Sequence, residues 1–124
     1  MTKSILIVED DLSTLKTLVE RCLKSGLGIA QAVDGESALK EALERHPDLI
    51  LLDLVLPKMD GITMLRKLRE DDWGKTAEVM ILTNLSENKR VAEAMGLGAF
   101  EYLIKSDWDV DEVMGKIKNK LRIS

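Results

Sequence analysis

The chain has 124 residues, of which 32% are charged and 45% hydrophobic, and its formal net charge is −4. This composition excludes an extended disordered chain and predicts one globular domain over residues 1–124. The acidic balance and the lack of a basic run argue against direct binding of nucleic acid. No apolar stretch approaches the roughly 20 residues of a membrane-spanning helix, and the single cysteine fits a reducing compartment. We therefore expect a cytoplasmic protein without a signal peptide or membrane association.

Short apolar segments alternate with amphipathic segments along the chain. Three apolar segments are uninterrupted, as in parallel strands buried on both faces, and two contain a polar residue. The amphipathic segments repeat apolar residues at three- and four-residue steps, which predicts helices, whereas residues 71–76 are predicted to form a polar loop. Asp34, Ser86 and Asp109 stand at helix-capping positions, and Glu112 gives Asp109 the spacing of a capping box. The five predicted strands are 5–8, 29–33, 49–52, 79–82 and 100–104.

Five strand–helix units joined by short connections predict an α/β fold with one parallel sheet and helices on both faces. The uninterrupted first, third and fourth strands are expected at the centre of the sheet, because both of their faces must be buried. The second and fifth strands contain polar residues and are expected at the edges. The order 2-1-3-4-5 satisfies both conditions, so the sequence predicts the flavodoxin-like doubly wound (βα)5 fold.

Polar side chains follow four of the five predicted strands. The first strand ends in Glu9-Asp10, the third in Asp53, the fourth in Thr83 and the fifth in Lys105. In a doubly wound sheet these strand ends lie at one edge, where ligands bind. We therefore expect the five residues to converge on one site. Its reactive group is predicted to be Asp53, because an acid at the end of a buried strand is costly without a charged partner.

The chemistry of these residues indicates a metal ion and a phosphoryl group. Clustered carboxylates raise one another's pKa unless a cation neutralises them, and oxygen ligands favour Mg²⁺, with Mn²⁺ as an expected substitute. The Lys105 ammonium and the Thr83 hydroxyl can both bind phosphoryl oxygens. The Asp53 carboxylate can then attack phosphorus and form an aspartyl phosphate.

Four segments carry a family resemblance: Ile-Leu-Ile-Val-Glu-Asp-Asp, Leu-Leu-Asp-Leu-Val-Leu-Pro-Lys-Met-Asp-Gly, Ile-Leu-Thr-Asn and Tyr-Leu-Ile-Lys. On these segments the chain resembles the receiver domain of two-component response regulators along essentially its whole length. The resemblance implies that Asp53 accepts a phosphoryl group from a sensor histidine kinase or a histidine phosphotransfer protein, and that Lys105 holds this group. It also implies a set of Mg²⁺ ligands. Asp10 would bind directly, Glu9 through water, and Val55 through its backbone carbonyl.

The same resemblance implies a switch, and a role in signalling rather than in enzymatic turnover. Thr83 would move toward the bound phosphoryl group, and Tyr102 would swing inward. The responding surface would comprise the fourth helix, the fifth strand and the fifth helix. It would meet a downstream output domain, a protein partner or a second copy of the chain. The alternative interpretation of Tyr102 is an ordinary, partly buried aromatic residue of an edge strand.

Three departures from the family pattern affect these expectations. Ser106 follows Lys105 where the family usually has proline after a cis bond; without proline a cis bond costs about 3–4 kcal/mol, so we predict a trans bond. Asn84 stands where the family favours alanine or glycine, and it is expected to narrow access to the site. Val55 and Leu85 are apolar where polar groups help water to attack the phosphoryl group. We therefore predict a long-lived phosphoryl group.

Other functions compete with this one. Asp53 and Lys105 could form only a structural salt bridge, but a buried ion pair stabilises a fold weakly compared with apolar packing. A pseudo-receiver would bind partners without being phosphorylated, and the intact set of site residues disfavours it. A phosphatase of the haloacid dehalogenase type also uses an aspartyl nucleophile, but its second acid would fall at Val55. A nucleotide-binding domain is disfavoured because no glycine-rich loop follows the first strand.

Overall fold

A computed structural model describes residues 2–84 and 88–124 of the chain. The strands are β1 (Ser4–Val8), β2 (Gly28–Ala32), β3 (Leu49–Leu52), β4 (Val79–Thr83) and β5 (Glu101–Ile104). They form one parallel sheet in the order β2-β1-β3-β4-β5. The predicted flavodoxin-like fold, its strand order and its two polar-containing edge strands are therefore confirmed.

Helices cover both faces of this sheet. They are α1 (Leu12–Lys24), α2 (Gly35–Arg45), α3 (Gly61–Glu70), α4 (Asn88–Gly96) and α5 (Val110–Leu121). Buried residues of α2, α3 and α4 pack on one face, and buried residues of α1 and α5 pack on the other. In the ranges that the structure describes, no helix is both long enough and apolar enough to cross a membrane.

The central strands divide their side chains between two hydrophobic cores. On β1, Leu6 and Val8 belong to the core under α2, α3 and α4, whereas Ile5 and Ile7 belong to the core under α1 and α5. All four residues of β3 are buried, which explains why its sequence is apolar without interruption. Burial on both faces holds β3 at the centre of the sheet, and the chain leaves it at Asp53.

Two of the predicted helix caps are present. The Asp34 carboxylate accepts a hydrogen bond from the Ser37 amide at 2.7 Å, and this bond lowers the pKa of Asp34. Asp109 accepts a hydrogen bond from the Asp111 amide at 2.9 Å. The cap of α5 therefore uses the second amide of the helix rather than the Glu112 amide that a capping box would use.

Three other local predictions have different outcomes. The predicted 71–76 loop contains a short 3-10 helix, Gly74–Thr76, because the Asp71 carboxylate accepts a hydrogen bond from the Gly74 amide at 2.8 Å. The Lys105–Ser106 peptide bond is trans, as predicted. The predicted cap Ser86 lies outside the described residues.

The loop at residues 53–60, which follows β3, packs closely against the starts of two helices. A Cβ atom on Gly35, the first residue of α2, would lie 1.9 Å from the carbonyl oxygen of Met59. A Cβ atom on Gly61, the first residue of α3, would lie 2.5 Å from the carbonyl oxygen of Asp53. Only glycine fits at these two contacts, so the backbone around Asp53 is held by direct packing.

The Gly35 contact predicts a difference between two glycine-to-alanine substitutions. Gly35→Ala is expected to lower the free energy of unfolding by about 1–3 kcal/mol, because the new methyl group must displace the Met59 backbone. Gly115→Ala is the control, since a Cβ atom there meets open space among the described residues. It should raise the free energy of unfolding by about 0.5–1 kcal/mol, because alanine favours the interior of a helix. Urea unfolding measures both values, and equal effects would contradict the contact.

Candidate functional site

The carboxyl ends of the strands surround a pocket of about 180 Å³ at one edge of the sheet. Four residues that the sequence predicts to converge lie around this pocket: Glu9 and Asp10 after β1, Asp53 after β3, and Lys105 after β5. They come together because all strands run in the same direction, so that their carboxyl ends lie at the same edge of the sheet. The full lining is Glu9, Asp10, Asp11, Asp53, Val55, Asn84 and Lys105.

The Lys105 ammonium joins two carboxylates that come from different strands. Its Nζ donates a hydrogen bond to Asp53 Oδ2 at 2.9 Å and forms an ion pair with Glu9 Oε1. Burial alone would lower the pKa of Lys105, but the bonds to Asp53 and Glu9 outweigh it, and the net pKa is raised. Lys105 therefore stays charged at neutral pH, although its side chain is only 10% exposed.

The Glu9 carboxylate is the most deeply buried acid of the site, at 2% exposure. Its Oε2 accepts a hydrogen bond from the Asp11 amide at 3.0 Å. Burial raises the pKa of Glu9, and this effect exceeds the lowering by Lys105 and the Asp11 amide. Glu9 is thus an acid whose charged form gains from any further cation placed beside it.

Asp53 directly follows the buried strand β3 and lines the pocket, and it is 5% exposed. Both carboxylate oxygens are oriented by hydrogen bonds: Oδ1 accepts from the Val55 amide at 3.2 Å, and Oδ2 accepts from Lys105. The close packing of Gly61 against the Asp53 carbonyl fixes the backbone. The carboxylate therefore has a defined direction toward the pocket before any ligand binds.

Three carboxylates of the pocket are close enough to share a metal ion. Carboxyl oxygens of Glu9, Asp10 and Asp53 all lie within 4.8 Å of one another. A donor set made only of oxygens suits Mg²⁺. The neighbouring Asp11 is otherwise engaged, since it caps α1 through the Ser13 amide at 3.1 Å and accepts from Thr14 Oγ1 at 2.9 Å. The Thr14 hydroxyl lowers the pKa of Asp11.

The two predicted switch residues occupy different environments. Thr83 ends β4 at the same sheet edge as the pocket, and its side chain is fully buried. Tyr102 lies on the edge strand β5 and is 43% exposed, so its ring has the outward position in this structure. The inward position implied by the resemblance stays a prediction.

The sequence pattern does not single out two charged residues that make structural contacts, one in the loop beside the pocket and one near the amino ends of β4 and β5. Lys58, in the loop after Asp53, lies 3.9 Å from the buried carboxylate of Asp34 and so links this loop to the start of α2. Arg69 on α3 donates hydrogen bonds to three backbone carbonyls, at 2.6 to 2.8 Å. Nothing in the sequence distinguishes either residue from an ordinary solvated lysine or arginine. The three carbonyls belong to Gly74, Ala77 and Leu97.

The residues that surround the pocket agree with a comparison against known families. The chain matches the response regulator receiver domain family over residues 5–118. It belongs to this family. Over 119 residues this receiver domain is 38% identical to the DNA-binding dual master transcriptional regulator RpaA of Synechocystis sp., with 95% of this chain and 48% of the relative covered. Over 121 residues it is 35% identical to sporulation initiation phosphotransferase F of Bacillus subtilis, with 98% and 95% covered.

Solved structures of receiver domains give the same result. A chain in the crystal structure of the CheX–CheY–BeF3–Mg²⁺ complex of Borrelia burgdorferi shares 31% identity and a TM-score of 0.84, covering 94% of this chain and 87% of that chain. A receiver domain of Methanospirillum hungatei has a TM-score of 0.90 at 24% identity, which concerns the fold alone, and covers 98% and 95%. This chain spans about half the length of the transcriptional regulators that it matches, 48% of RpaA and 50% of PhoP of Bacillus subtilis.

The carboxylate cluster predicts that Mg²⁺ stabilises this receiver domain. A metal at 100 times its dissociation constant should raise the free energy of unfolding by about 2.7 kcal/mol if it binds only the folded chain. Asp10→Asn should remove most of this gain, because it takes one charge from the cluster. Asp11→Asn should keep it, since asparagine also caps a helix well. Thermal unfolding with and without Mg²⁺ measures these effects, and equal responses of the two variants would exclude Asp10 as a specific ligand.

Proposed function

We propose that this receiver domain, over residues 1–124, accepts a phosphoryl group on Asp53 and thereby switches a signalling surface. The donor would be a sensor histidine kinase or a histidine phosphotransfer protein, and the transfer would depend on Mg²⁺. One observation carries the proposal: the Lys105 ammonium lies 2.9 Å from the Asp53 carboxylate, beside a cluster of three acids. An oriented carboxylate, a fixed cation and oxygen ligands together suit phosphoryl transfer.

The residues of the pocket fit the proposed metal. Glu9, Asp10 and Asp53 would hold it, with the backbone carbonyl of Val55 as a further candidate ligand. When bound, Mg²⁺ would neutralise these carboxylates and the negative charge of the phosphoryl oxygens. Mn²⁺, which favours the same oxygen ligands, would serve as a substitute.

In the proposed step, a carboxylate oxygen of Asp53 attacks phosphorus. A new oxygen–phosphorus bond forms, the bond from phosphorus to the donor's imidazole nitrogen breaks, and its electron pair leaves with that nitrogen. Lys105 already bonds Asp53 Oδ2, so its ammonium can transfer this contact to a phosphoryl oxygen without losing a charged partner. The Thr83 hydroxyl would donate a further hydrogen bond.

The consequence of phosphorylation would be a change at the α4–β5–α5 surface. Thr83 would move toward the phosphoryl group, and Tyr102, now 43% exposed, would turn inward. This change would be read by an output domain, a protein partner or a second receiver domain bound to the same surface. The domain would act as a signalling module without direct nucleic-acid contact and without catalytic turnover. A cytoplasmic location stays a prediction.

Acetyl phosphate tests the proposal with a small phosphodonor. With Mg²⁺, the protein is expected to gain one phosphoryl adduct by intact mass, and Asp53→Asn should abolish it because the accepting oxygen is replaced by an amide. Asp60→Asn is the matched control, since asparagine can keep the cap that Asp60 provides for α3. An adduct on Asp53→Asn would contradict the proposal. An unmodified wild-type protein would indicate a pseudo-receiver, and continuous release of phosphate would indicate a phosphatase.

The pocket rim predicts a slow loss of the phosphoryl group. Val55 is 49% exposed at the pocket, and its side chain has no polar group that could orient an attacking water. Val55→Asn should shorten the lifetime of the phosphoprotein by about tenfold or more, and Val55→Ala should leave it nearly unchanged. Phosphate release after removal of acetyl phosphate measures the lifetime. Release of phosphate from the wild-type protein within seconds at neutral pH would contradict the prediction. Leu85, the other apolar residue on which the prediction of a long lifetime rests, lies outside the described residues.

A further inference from the structure

The edge strand β2 lacks the charged and proline residues that usually prevent an edge strand from pairing with another strand. Within the described sheet β2 pairs with β1 alone. Its sequence, Gly-Ile-Ala-Gln-Ala, contains no charged residue and no proline, which are the usual protections of a sheet edge. The opposite edge strand, β5, carries Glu101, which pairs with Lys116 at 3.0 Å. The two edges of the sheet therefore differ in their capacity for edge-to-edge association.

The hydrogen bonds to β1 define which groups of β2 face outward. The Gly28 amide and the Ala32 carbonyl bond to backbone groups flanking β1, at 2.9 and 3.0 Å. Because the direction of these groups alternates along a strand, the amides and carbonyls of Ile29 and Gln31 point away from β1. They form a row of main-chain donors and acceptors along the free edge.

We propose that two copies of this chain associate by antiparallel pairing of their β2 strands. A two-fold axis at Gln31 opposes the two Gln31 residues, which then exchange hydrogen bonds between their amides and carbonyls. The same axis places Ile29 of each copy opposite Val33 of the other. Val33 directly follows β2 and is 42% exposed, an exposed apolar side chain that this pairing covers.

The side-chain pattern selects this register over its neighbour. Ile29 and Gln31 lie on the same face of β2, and Val33 is the next position in this alternation, in the bend that directly follows the strand. The axis at Gln31 therefore matches apolar with apolar side chains on both sides of the central pair. An axis at Ala30 would instead oppose Ile29 with Gln31 and leave Val33 uncovered.

A cavity of about 440 Å³ adjoins the amino end of the same edge. It is separate from the acidic pocket, and none of the residues of the proposed phosphoryl site line it. Pairing in this register would place Val33 of a second copy beside Ile29, at the margin of this cavity. Its lining includes Gly28, Ile29, Ala30, Arg45 and Pro47.

Charge complementarity supports a second copy as the occupant. Arg45 lines the cavity at the amino end of β2, and the backbone of Lys3 bonds to the same end. Exposed Glu36 lies in the first turn of α2, just beyond the carboxyl end of β2. Antiparallel pairing brings opposite ends together, so Arg45 meets Glu36 of the other copy in addition to Glu41 of its own helix. Unlike charges therefore meet at both ends of the interface.

The outward amide of Gln31 provides a first test. Sedimentation of the full chain over a range of concentrations, without Mg²⁺ or phosphodonor, should show a monomer–dimer equilibrium. Gln31→Pro should raise the dissociation constant by about tenfold or more, because it replaces an outward donor with a ring while sparing the bonds to β1. Gln31→Ala keeps the amide and should still dimerise.

The opposed charges provide a second test that does not depend on proline. Arg45→Glu and Glu36→Arg should each weaken self-association, because each variant opposes like charges in its own dimer. An equimolar mixture should associate again, since both contacts of the mixed dimer then join unlike charges. If self-association recovers only in the mixture, the loss in each single variant is due to the contact between residues 36 and 45 and not to a general loss of stability.

Amide hydrogen exchange provides a residue-level readout. Raising the protein concentration should slow exchange at Ile29 and Gln31, whereas Ala30, already bonded to β1, should not change. A chain that stays monomeric at all concentrations would overturn the proposal. So would a dimer that persists in Gln31→Pro or that is lost instead in Glu101→Lys, which would indicate the α4–β5–α5 surface. Because no phosphodonor is present, these outcomes are independent of phosphoryl acceptance.

Discussion

The charge balance around the Lys105 ammonium is the constraint on which the site depends. One buried cation bonds two carboxylates, Glu9 and Asp53, and a third, Asp10, completes the cluster. Glu9 and Asp53 are buried, and removing acids from water is costly unless a cation compensates them, whereas Asp10 is exposed. A single ammonium does not balance the charges of all three. The folded site therefore retains an excess of negative charge. A divalent cation bound at the cluster would neutralise this excess.

Close backbone contacts and one further ion pair hold this cluster in place. Gly61 packs against the Asp53 carbonyl, and Gly35 packs against the loop that follows it. Lys58 links the same loop to Asp34, a buried cap of α2. These contacts hold the backbone of Asp53 and of the loop after it, so a ligand bound at the Asp53 carboxylate would restrict little further freedom, which favours a preorganised site. In the proposed switch, the loop after β3 would hold Asp53 in place, and the exposed Tyr102 would be the side chain that moves.

The sequence was sufficient to predict the fold and four residues that line the pocket, but not the contacts among them. Uninterrupted apolar runs identified the central strands, because a strand buried on both faces tolerates no polar residue. The polar residues at the strand ends then identified Asp53 and Lys105 as candidate site residues. The ion pair between Lys105 and Glu9 depends on side-chain directions that no sequence pattern encodes. Arg69 is a similar case, since its three carbonyl partners come from segments that meet only after folding.

The strand β2 differs from the other four strands in its position relative to the pocket, so the proposed association along β2 is compatible with signalling. Every strand except β2 is followed by a side chain that lines the pocket, whereas the chain after β2 serves to cap α2 through Asp34. Pairing along β2 therefore covers no residue of the pocket. The sheet also separates this edge from β5, because three strands lie between them. Two copies joined at β2 would keep both pockets and both α4–β5–α5 surfaces open. Each copy could then accept a phosphoryl group and bind a partner at its α4–β5–α5 surface.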